Sequence, residues 1–91
     1  MKEIMLDCSR LKERDMMRDY MTELFRFSKK DEFTGNLDHL NDLLSEVTSD
    51  IRLCISAEAL STAAEASFSW KVLRVLINAA KENPHLTVSL D

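Results

Sequence analysis

The distribution of apolar and polar residues along the first part of the chain predicts a strand, a turn, a helix and a loop. Residues 2–6 form a short, mainly apolar stretch that predicts a strand, and residues 7–14 predict a polar turn. Residues 28–35 are polar and have no period, which predicts a loop. Between them, residues 15–27 predict an amphipathic helix, because apolar side chains recur at helical spacing: Met17, Tyr20, Met21, Leu24 and Phe25.

A second helix is predicted to begin at Asn36, whose side chain can accept hydrogen bonds from the free N–H groups of the first helical turn. Residues 48–50 end it, and residues 51–55 form a strand-length apolar run interrupted only by Arg52. Such a run is typical of a strand covered on both faces in a parallel sheet. The alanine-rich residues 57–66 allow a short helix. The inner face of the second helix is predicted to comprise Leu37, Leu40, Leu43, Leu44 and Val47.

The last third of the chain predicts a long, deeply buried helix over residues 68–81, followed by a strand. Asn83 and Pro84 end the helix, because proline lacks the N–H of the helical ladder and restricts the residue before it. Leu86, Val88 and Leu90 then alternate with polar residues, as in a half-exposed strand. Strands separated by helices predict an α/β fold with a three-stranded parallel sheet and three to four helices.

Composition narrows the possible functions. The 91 residues are expected to form one domain, and the single glycine, Gly35, excludes the glycine-rich loops that hold nucleotide phosphates. A net charge of −4 argues against nucleic acid and favours a basic partner. No metal or cofactor is expected.

The N-terminal apolar stretch is too short for a signal sequence or a membrane span, so a cytoplasmic protein without membrane contact is expected. Cys8 and Cys54 are far apart and lack the CxxC spacing of redox or zinc motifs. Both are predicted to be buried, unreactive thiols.

Acidity is concentrated between residues 31 and 51. This segment has six carboxylates and no lysine or arginine, so it carries −6 and leaves +2 for the rest of the chain. On the second helix, the polar residues are predicted to project away from the leucines. They are Asp38, Asn41, Asp42, Ser45 and Glu46.

The segment FTGNLDHLNDLL at residues 33–44 resembles the barstar family. In that family an aromatic residue and a glycine precede the pattern Asn-Leu-Asp-x-Leu-Trp-Asp-x-Leu. The resemblance extends over most of the chain in the order and spacing of its predicted elements. Asn41 stands where the family usually has tryptophan, Glu32 where it often has an aromatic residue, and Asn78 where well-known members have glutamate. Gly35 lies one position later than the family's glycine.

The resemblance implies an intracellular inhibitor of a small, basic, guanyl-preferring ribonuclease of the barnase type. Asp38 and Asp42 match the two family aspartates, and Asp42 matches the one that enters the phosphate site. A carboxylate suits this role because it accepts charge-assisted hydrogen bonds from arginine and lysine. The inhibitor is expected to be a monomer that binds its target one-to-one. The full expected interface is Glu32, Gly35, Asn36, Asp38, His39, Asn41, Asp42, Ser45, Glu46 and Asn78.

Two other hypotheses remain. The domain could share the barstar fold and bind a different basic protein, with no ribonuclease target. An enzyme could use Asp38 and Asp42 as general acid and base, since residues four apart share one helix face. No nucleophile or histidine pair accompanies these aspartates in the sequence, so an enzyme is not expected.

Overall fold

The computed structural model describes residues 2–62 and 67–90 of the chain. The strands are β1 (Lys2–Met5), β2 (Ile51–Ile55) and β3 (Leu86–Leu90). The α-helices of the described residues are α1 (Arg14–Phe25), α2 (Leu37–Ser45), α3 (Ala57–Thr62) and α4 (Phe68–Glu82). Short 3₁₀ helices occupy Cys8–Leu11 and Lys29–Asp31. Part of the alanine-rich stretch predicted to be helical, residues 63–66, lies outside the described residues.

The three strands form one parallel sheet in the order β1-β2-β3. The register places Ile4, Leu53 and Val88 side by side across the sheet. Helix α4 packs against both α2 and β3. The predicted α/β fold with a three-stranded parallel sheet and helices is confirmed.

One face of the sheet is buried in the core of the protein. Ile51, Leu53 and Ile55 of β2 all point to this face and are buried. Because these residues alternate along the strand, their burial fixes the pairing register of the sheet. The largest fully buried side chains are Leu11, Met17, Met21, Leu40, Leu44, Leu53, Ile55, Val72, Leu73 and Leu76.

The other face of the sheet is covered only in part: Cys54 is buried there, and the remaining described side chains are exposed or half-buried. This corrects the expectation that β2 is fully covered on both faces. Arg52 is half-buried there and forms a 3.2 Å ion pair with Glu3 of β1. Met5 is 71% exposed, whereas Cys54 beside it is buried. The strand β2 has an apolar sequence because Ile51, Leu53 and Ile55 are buried on one face and the small residue Cys54 is buried on the other. We call this surface the open sheet face; it comprises Glu3, Met5, Arg52, Cys54, Thr87 and Ser89.

Element boundaries differ from the prediction where single residues change the backbone direction. Helix α1 ends at Phe25, two residues early, because Arg26 adopts a left-handed conformation with φ of 54°. The segment predicted to be a polar turn contains the Cys8–Leu11 3₁₀ helix, whose Leu11 is completely buried. A single apolar residue in a polar stretch forms no periodic pattern, so the sequence pattern does not predict that Leu11 belongs to the core.

Asn83, the residue predicted to end the last helix, is buried and connects three elements. Its Nδ2 donates to the carbonyl oxygens of Leu44 at 2.9 Å and Val47 at 3.0 Å, at the C-terminal end of α2. Its Oδ1 accepts a hydrogen bond from the backbone N–H of His85 at 2.9 Å. Asn83 thus satisfies helix-end carbonyls of α2 while it positions the turn into β3.

The two cysteines are free thiols, one half-buried and one buried. Burial raises the pKa of the Cys8 thiol, and the neighbouring Asp7 carboxylate raises it further. Because the thiolate is the reactive form, we expect iodoacetamide at pH 8 to alkylate Cys8 more slowly than in the urea-unfolded chain. Cys54, which is more buried, should react more slowly still. Mass spectrometry of timed samples measures both rates, and equal rates for Cys8 in the folded and unfolded chain would contradict this prediction.

Candidate functional site

The candidate site begins with the N-terminal cap of α2. Asn36 Oδ1 accepts hydrogen bonds from the backbone N–H groups of Asp38 at 2.8 Å and His39 at 3.1 Å. The predicted cap is therefore confirmed. Asn36 fixes the first turn of α2 and hence the direction in which Asp38 projects.

Three carboxylates lie along the outer side of α2 and form what we call the acidic face: Asp38, Asp42 and Glu46. All three residues are exposed. None forms a hydrogen bond through its carboxylate or an ion pair with another described residue. Ser45 also lies exposed here, and its hydroxyl donates to the carbonyl oxygen of Asp42 at 2.6 Å. The three carboxylates are thus available to a partner.

Two other acids of the same segment have structural roles. Asp31 accepts a hydrogen bond from the backbone N–H of Ser28 at 2.7 Å, which closes the capping box of the Lys29–Asp31 turn. Asp50 lies 2.9 Å from His85 Nδ1 and so links the start of β2 to the start of β3. Of the six carboxylates between residues 31 and 51, the four without such a role are therefore Glu32 and the three on α2.

A groove runs between α2 and α4. One depression of about 350 Å³ within it is lined by Asp38, Asn41 and Asn78, together with Leu37, Val75, Lys81 and Glu82. The structure thus brings Asn78 of α4 together with two predicted site residues of α2, Asp38 and Asn41. Asn41 is half-buried in this groove, which corrects the prediction that it projects outward with the aspartates. Asn41 lies at the edge of the apolar face of α2, so its side chain is directed toward α4.

The α4 side of the groove is basic, a feature that the sequence analysis did not connect with the acidic residues. A second depression is lined by Asp38, Trp70, Lys71, Arg74 and Asn78. The Arg74 guanidinium lies over the Trp70 ring, 5.5 Å from its centroid. Asp38 therefore lies near cationic side chains, whereas neither depression includes Asp42 or Glu46.

His39 lies on the other side of α2 and packs against aromatic side chains. Its ring centroid is 5.8 Å from that of Phe33, in an edge arrangement. Phe33 in turn contacts Phe27, and Phe27 stacks on Phe25 at the end of α1. His39 is half-buried by these contacts, so it anchors the loop before α2 and contributes only part of its surface to a partner.

Glu32 is separated from the acidic face. It adopts a left-handed conformation with φ of 48° at the end of the Lys29–Asp31 turn. It lines a different depression, with Arg18, Thr22 and Lys29 among its neighbours. Of the predicted site residues, the structure therefore places Glu32 beside α1 and away from the α2–α4 groove.

Gly35 is buried and has φ of +95°, a conformation that side chains rarely adopt. A Cβ at this position would overlap Arg14 Cγ and lie 3.2 Å from the Arg14 carbonyl oxygen. Gly35 therefore allows the loop to pass close to the start of α1 immediately before the Asn36 cap. Gly35 therefore contributes to the site through its backbone conformation, which brings the loop to the start of α2.

We expect Gly35→Ala to lower the free energy of unfolding by about 1–3 kcal/mol, through left-handed strain and contact with Arg14. Urea denaturation measures the loss. The double variant Arg14→Ala/Gly35→Ala should recover the part that comes from the side-chain contact, when compared with Arg14→Ala alone. Unchanged stability of Gly35→Ala would contradict the close approach.

Among residues 2–62 and 67–90, no group of three or more His, Cys, Asp or Glu side chains is arranged to hold a metal ion. None of the described helices is long and apolar enough to cross a bilayer.

The chain matches no protein-family model, and no curated protein shows significant similarity to it.

Proposed function

We propose that this protein is a barstar-like inhibitor that binds a small, basic, guanyl-preferring ribonuclease and blocks its active site with the acidic face of α2. The observation that carries the proposal is the exposure of Asp38, Asp42 and Glu46 without an ion-pair partner among the described residues. Carboxylates that form no ion pair with another described residue are available for a complementary surface. The cytoplasm is the proposed place of action.

The chemistry of a ribonuclease active site suits this face. Such a site binds phosphate through arginine, lysine and histidine, and a carboxylate accepts the same charge-assisted hydrogen bonds. Successive carboxylates on α2 are four residues apart, a rise of about 6 Å along the helix axis. In the proposed complex Asp42 enters the phosphate site, and Asp38 and Glu46 contact cations on either side of it.

The fold holds the acidic face rigid before binding. Leu40 and Leu44 of α2 are completely buried, Asn36 caps the start of the helix, and Asn83 binds carbonyl groups at its end. A helix fixed at both ends loses little conformational entropy on association, which favours affinity. Ribonuclease and inhibitor are expected to form a one-to-one complex.

The proposal is tested by titrating the protein into barnase at low salt while RNA cleavage is followed. We expect activity to fall linearly to zero at one equivalent, as for occlusion of a single site. Full activity at micromolar excess of the protein would contradict the proposal. A heat-denatured sample of the same protein serves as the control for non-specific effects.

Inhibition is expected to weaken with salt, because the complex joins an acidic face to a basic active site and α2 carries no large aromatic anchor. Raising ionic strength from about 0.05 M to 0.5 M shortens the screening length several-fold and should raise the inhibition constant by about tenfold or more. The slope of inhibition constant against salt measures this effect. A salt-independent inhibition constant would contradict an electrostatic interface.

A second candidate function is an interaction domain with the same fold that binds a different basic protein through the acidic face. The observation in its favour is the amide pair Asn41 and Asn78, which line the groove at positions where the family usually has tryptophan and glutamate. Capture from the native host distinguishes the two functions. Recovery of a basic protein without nuclease activity, with no inhibition of barnase, would favour the second.

A further inference from the structure

Strand β3 lies at one edge of the sheet and has a second, unoccupied side. Among the described residues it pairs only with β2. We propose that this outer edge pairs antiparallel with β3 of a second copy of the chain, about a two-fold axis at Val88. The two sheets then form one continuous sheet of six strands.

The hydrogen bonds of the turn before β3 show which backbone groups face outward. The carbonyl of His85 accepts a hydrogen bond from Ile51 N–H at 2.9 Å, so this carbonyl points to β2. Along a strand these directions alternate, so Thr87 and Ser89 also point to β2, and Val88 and Leu90 point outward. The N–H of Leu86 already donates to the Asn83 carbonyl at 3.0 Å. Outward donors at Val88 and Leu90 thus remain for a new strand.

The sequence of β3, LTVSL, is nearly symmetrical about Val88. In an antiparallel pair centred there, Leu86 lies opposite Leu90, Thr87 opposite Ser89, and Val88 opposite its own copy. The two Val88 residues then exchange two hydrogen bonds, and each Leu90 N–H reaches the Leu86 carbonyl of the other copy. A self-complementary patch is what a two-fold interface requires, and this favours a second copy over an unrelated strand.

The two edges of the sheet differ in their protection against such pairing. Edge strands commonly avoid association through charged side chains or proline. β1 carries the exposed charges Lys2 and Glu3, and Glu3 is held by Arg52. β3 has neither a charge nor a proline over residues 86–90. Over residues 2–5 and 86–90, the β3 edge therefore lacks the protecting charges that the β1 edge has.

An apolar groove follows the same edge. It has a volume of about 380 Å³ and lies between α4 and β3, lined by Ile77, Ala80, Leu86, Val88 and Leu90, with Lys81 and Thr87 at its margin. Leu90 is 55% exposed. Strand pairing with cover of both grooves would bury on the order of 1,000 Å², near the lower limit for a specific interface. The area predicts a weak dimer, formed at micromolar or higher concentration.

The net charge of −4 on each chain opposes association, but the acidic face does not lie at the dimer edge. Helix α4 presents Val75 and Asn78 to α2 and presents Ile77 and Ala80 to β3, so the acidic face lies across α4 from the dimer edge. Both acidic faces stay open in the dimer, which would bind two basic partners. The proposed dimer does not depend on the proposed ribonuclease inhibition. At high protein concentration we expect this dimer in place of the monomer that the sequence predicts.

Sedimentation velocity over about 10 µM to 1 mM protein tests the proposal. We expect the sedimentation coefficient to rise from the monomer value to the dimer value, and Leu90→Lys to raise the dimer Kd by about tenfold or more, because it places a charge in the apolar edge. The matched control is Met5→Lys, an exposed apolar residue outside β3 (71% against 55% for Leu90), which should leave the Kd unchanged. A monomer at every concentration, or a dimer unaffected by Leu90→Lys, would overturn the proposal.

Cross-linking tests the register without a destabilising charge. Cα atoms of a hydrogen-bonded antiparallel pair are about 5.5 Å apart, within the range for a disulfide. Val88→Cys should therefore give a covalent dimer on mild oxidation, seen on a non-reducing gel. Ser89→Cys, whose copies are a diagonal pair beyond that range, should give much less, as should the unsubstituted chain. Equal cross-linking of the two variants would overturn the two-fold axis at Val88.

Discussion

Replacing Asp42 by alanine is expected to weaken inhibition of barnase by about 2–5 kcal/mol, which is about thirtyfold to a few thousandfold in the inhibition constant. Asp42 is at the centre of the acidic face, and no described side chain pairs with it. Its removal leaves a cationic phosphate site in the ribonuclease buried without a counter-charge. Titration of RNA cleavage measures the loss.

Two further variants separate charge from shape and position. Asp42→Asn keeps the size of the side chain and should lose most of the same affinity, because the proposed contact is between the Asp42 charge and the cations of the ribonuclease. Glu3→Ala removes one carboxylate from the open sheet face and should leave inhibition within about twofold, since exposed surface charges contribute little. An Asp42→Ala protein that inhibits as well as the unsubstituted chain would place the contact elsewhere.

Replacing Asn83 by alanine is expected to lower the free energy of unfolding by about 2–4 kcal/mol. The variant removes the side-chain donor to the carbonyl groups of Leu44 and Val47 and the acceptor for the His85 N–H. The Leu44 carbonyl still accepts from the Val47 N–H at 3.3 Å, whereas the Val47 carbonyl and the His85 N–H lose the partner described above. Each unsatisfied buried group costs about 1–3 kcal/mol, although water can reach part of this site after truncation. For a domain of this size the midpoint of thermal unfolding should fall by about 10 °C or more.

The matched control for Asn83 is Asn78→Ala, the same substitution at an exposed position of α4. We expect it to change stability by no more than about 0.5 kcal/mol, as is usual for surface substitutions. Urea denaturation of both variants gives the comparison. If Asn83→Ala unfolded at the same urea concentration as Asn78→Ala, the hydrogen bonds to α2 would not stabilise the fold.

The features that local patterns determine were predictable from the sequence. The alternation of Leu86, Val88 and Leu90 indicated β3, and the helical spacing before Pro84 indicated α4, because each depends on a period of a few residues. The Asn36 cap is equally local, since its side chain binds N–H groups two and three residues away. Strands separated by helices then restricted the topology to a parallel sheet.

The features that were missed depend on contacts between distant residues. Asn83 signalled only a helix end, whereas its side chain binds carbonyl groups 36 and 39 residues away. Asn41 stands at the boundary between the apolar and polar sides of α2, so its direction depends on where α4 crosses. Glu32 is close to the acidic helix in sequence but is turned toward α1 by its left-handed backbone. The spacing of apolar and polar residues in the sequence does not indicate these contacts between distant residues.

An NMR titration of the ¹⁵N-labelled protein with catalytically inactive barnase locates the ribonuclease-binding surface directly. We expect shift changes concentrated in residues 36–46 and around Asn78, with the backbone amides of β1 unperturbed. Changes concentrated on the open sheet face, or no change with barnase in excess, would contradict the assignment of the acidic face of α2 as the ribonuclease-binding surface.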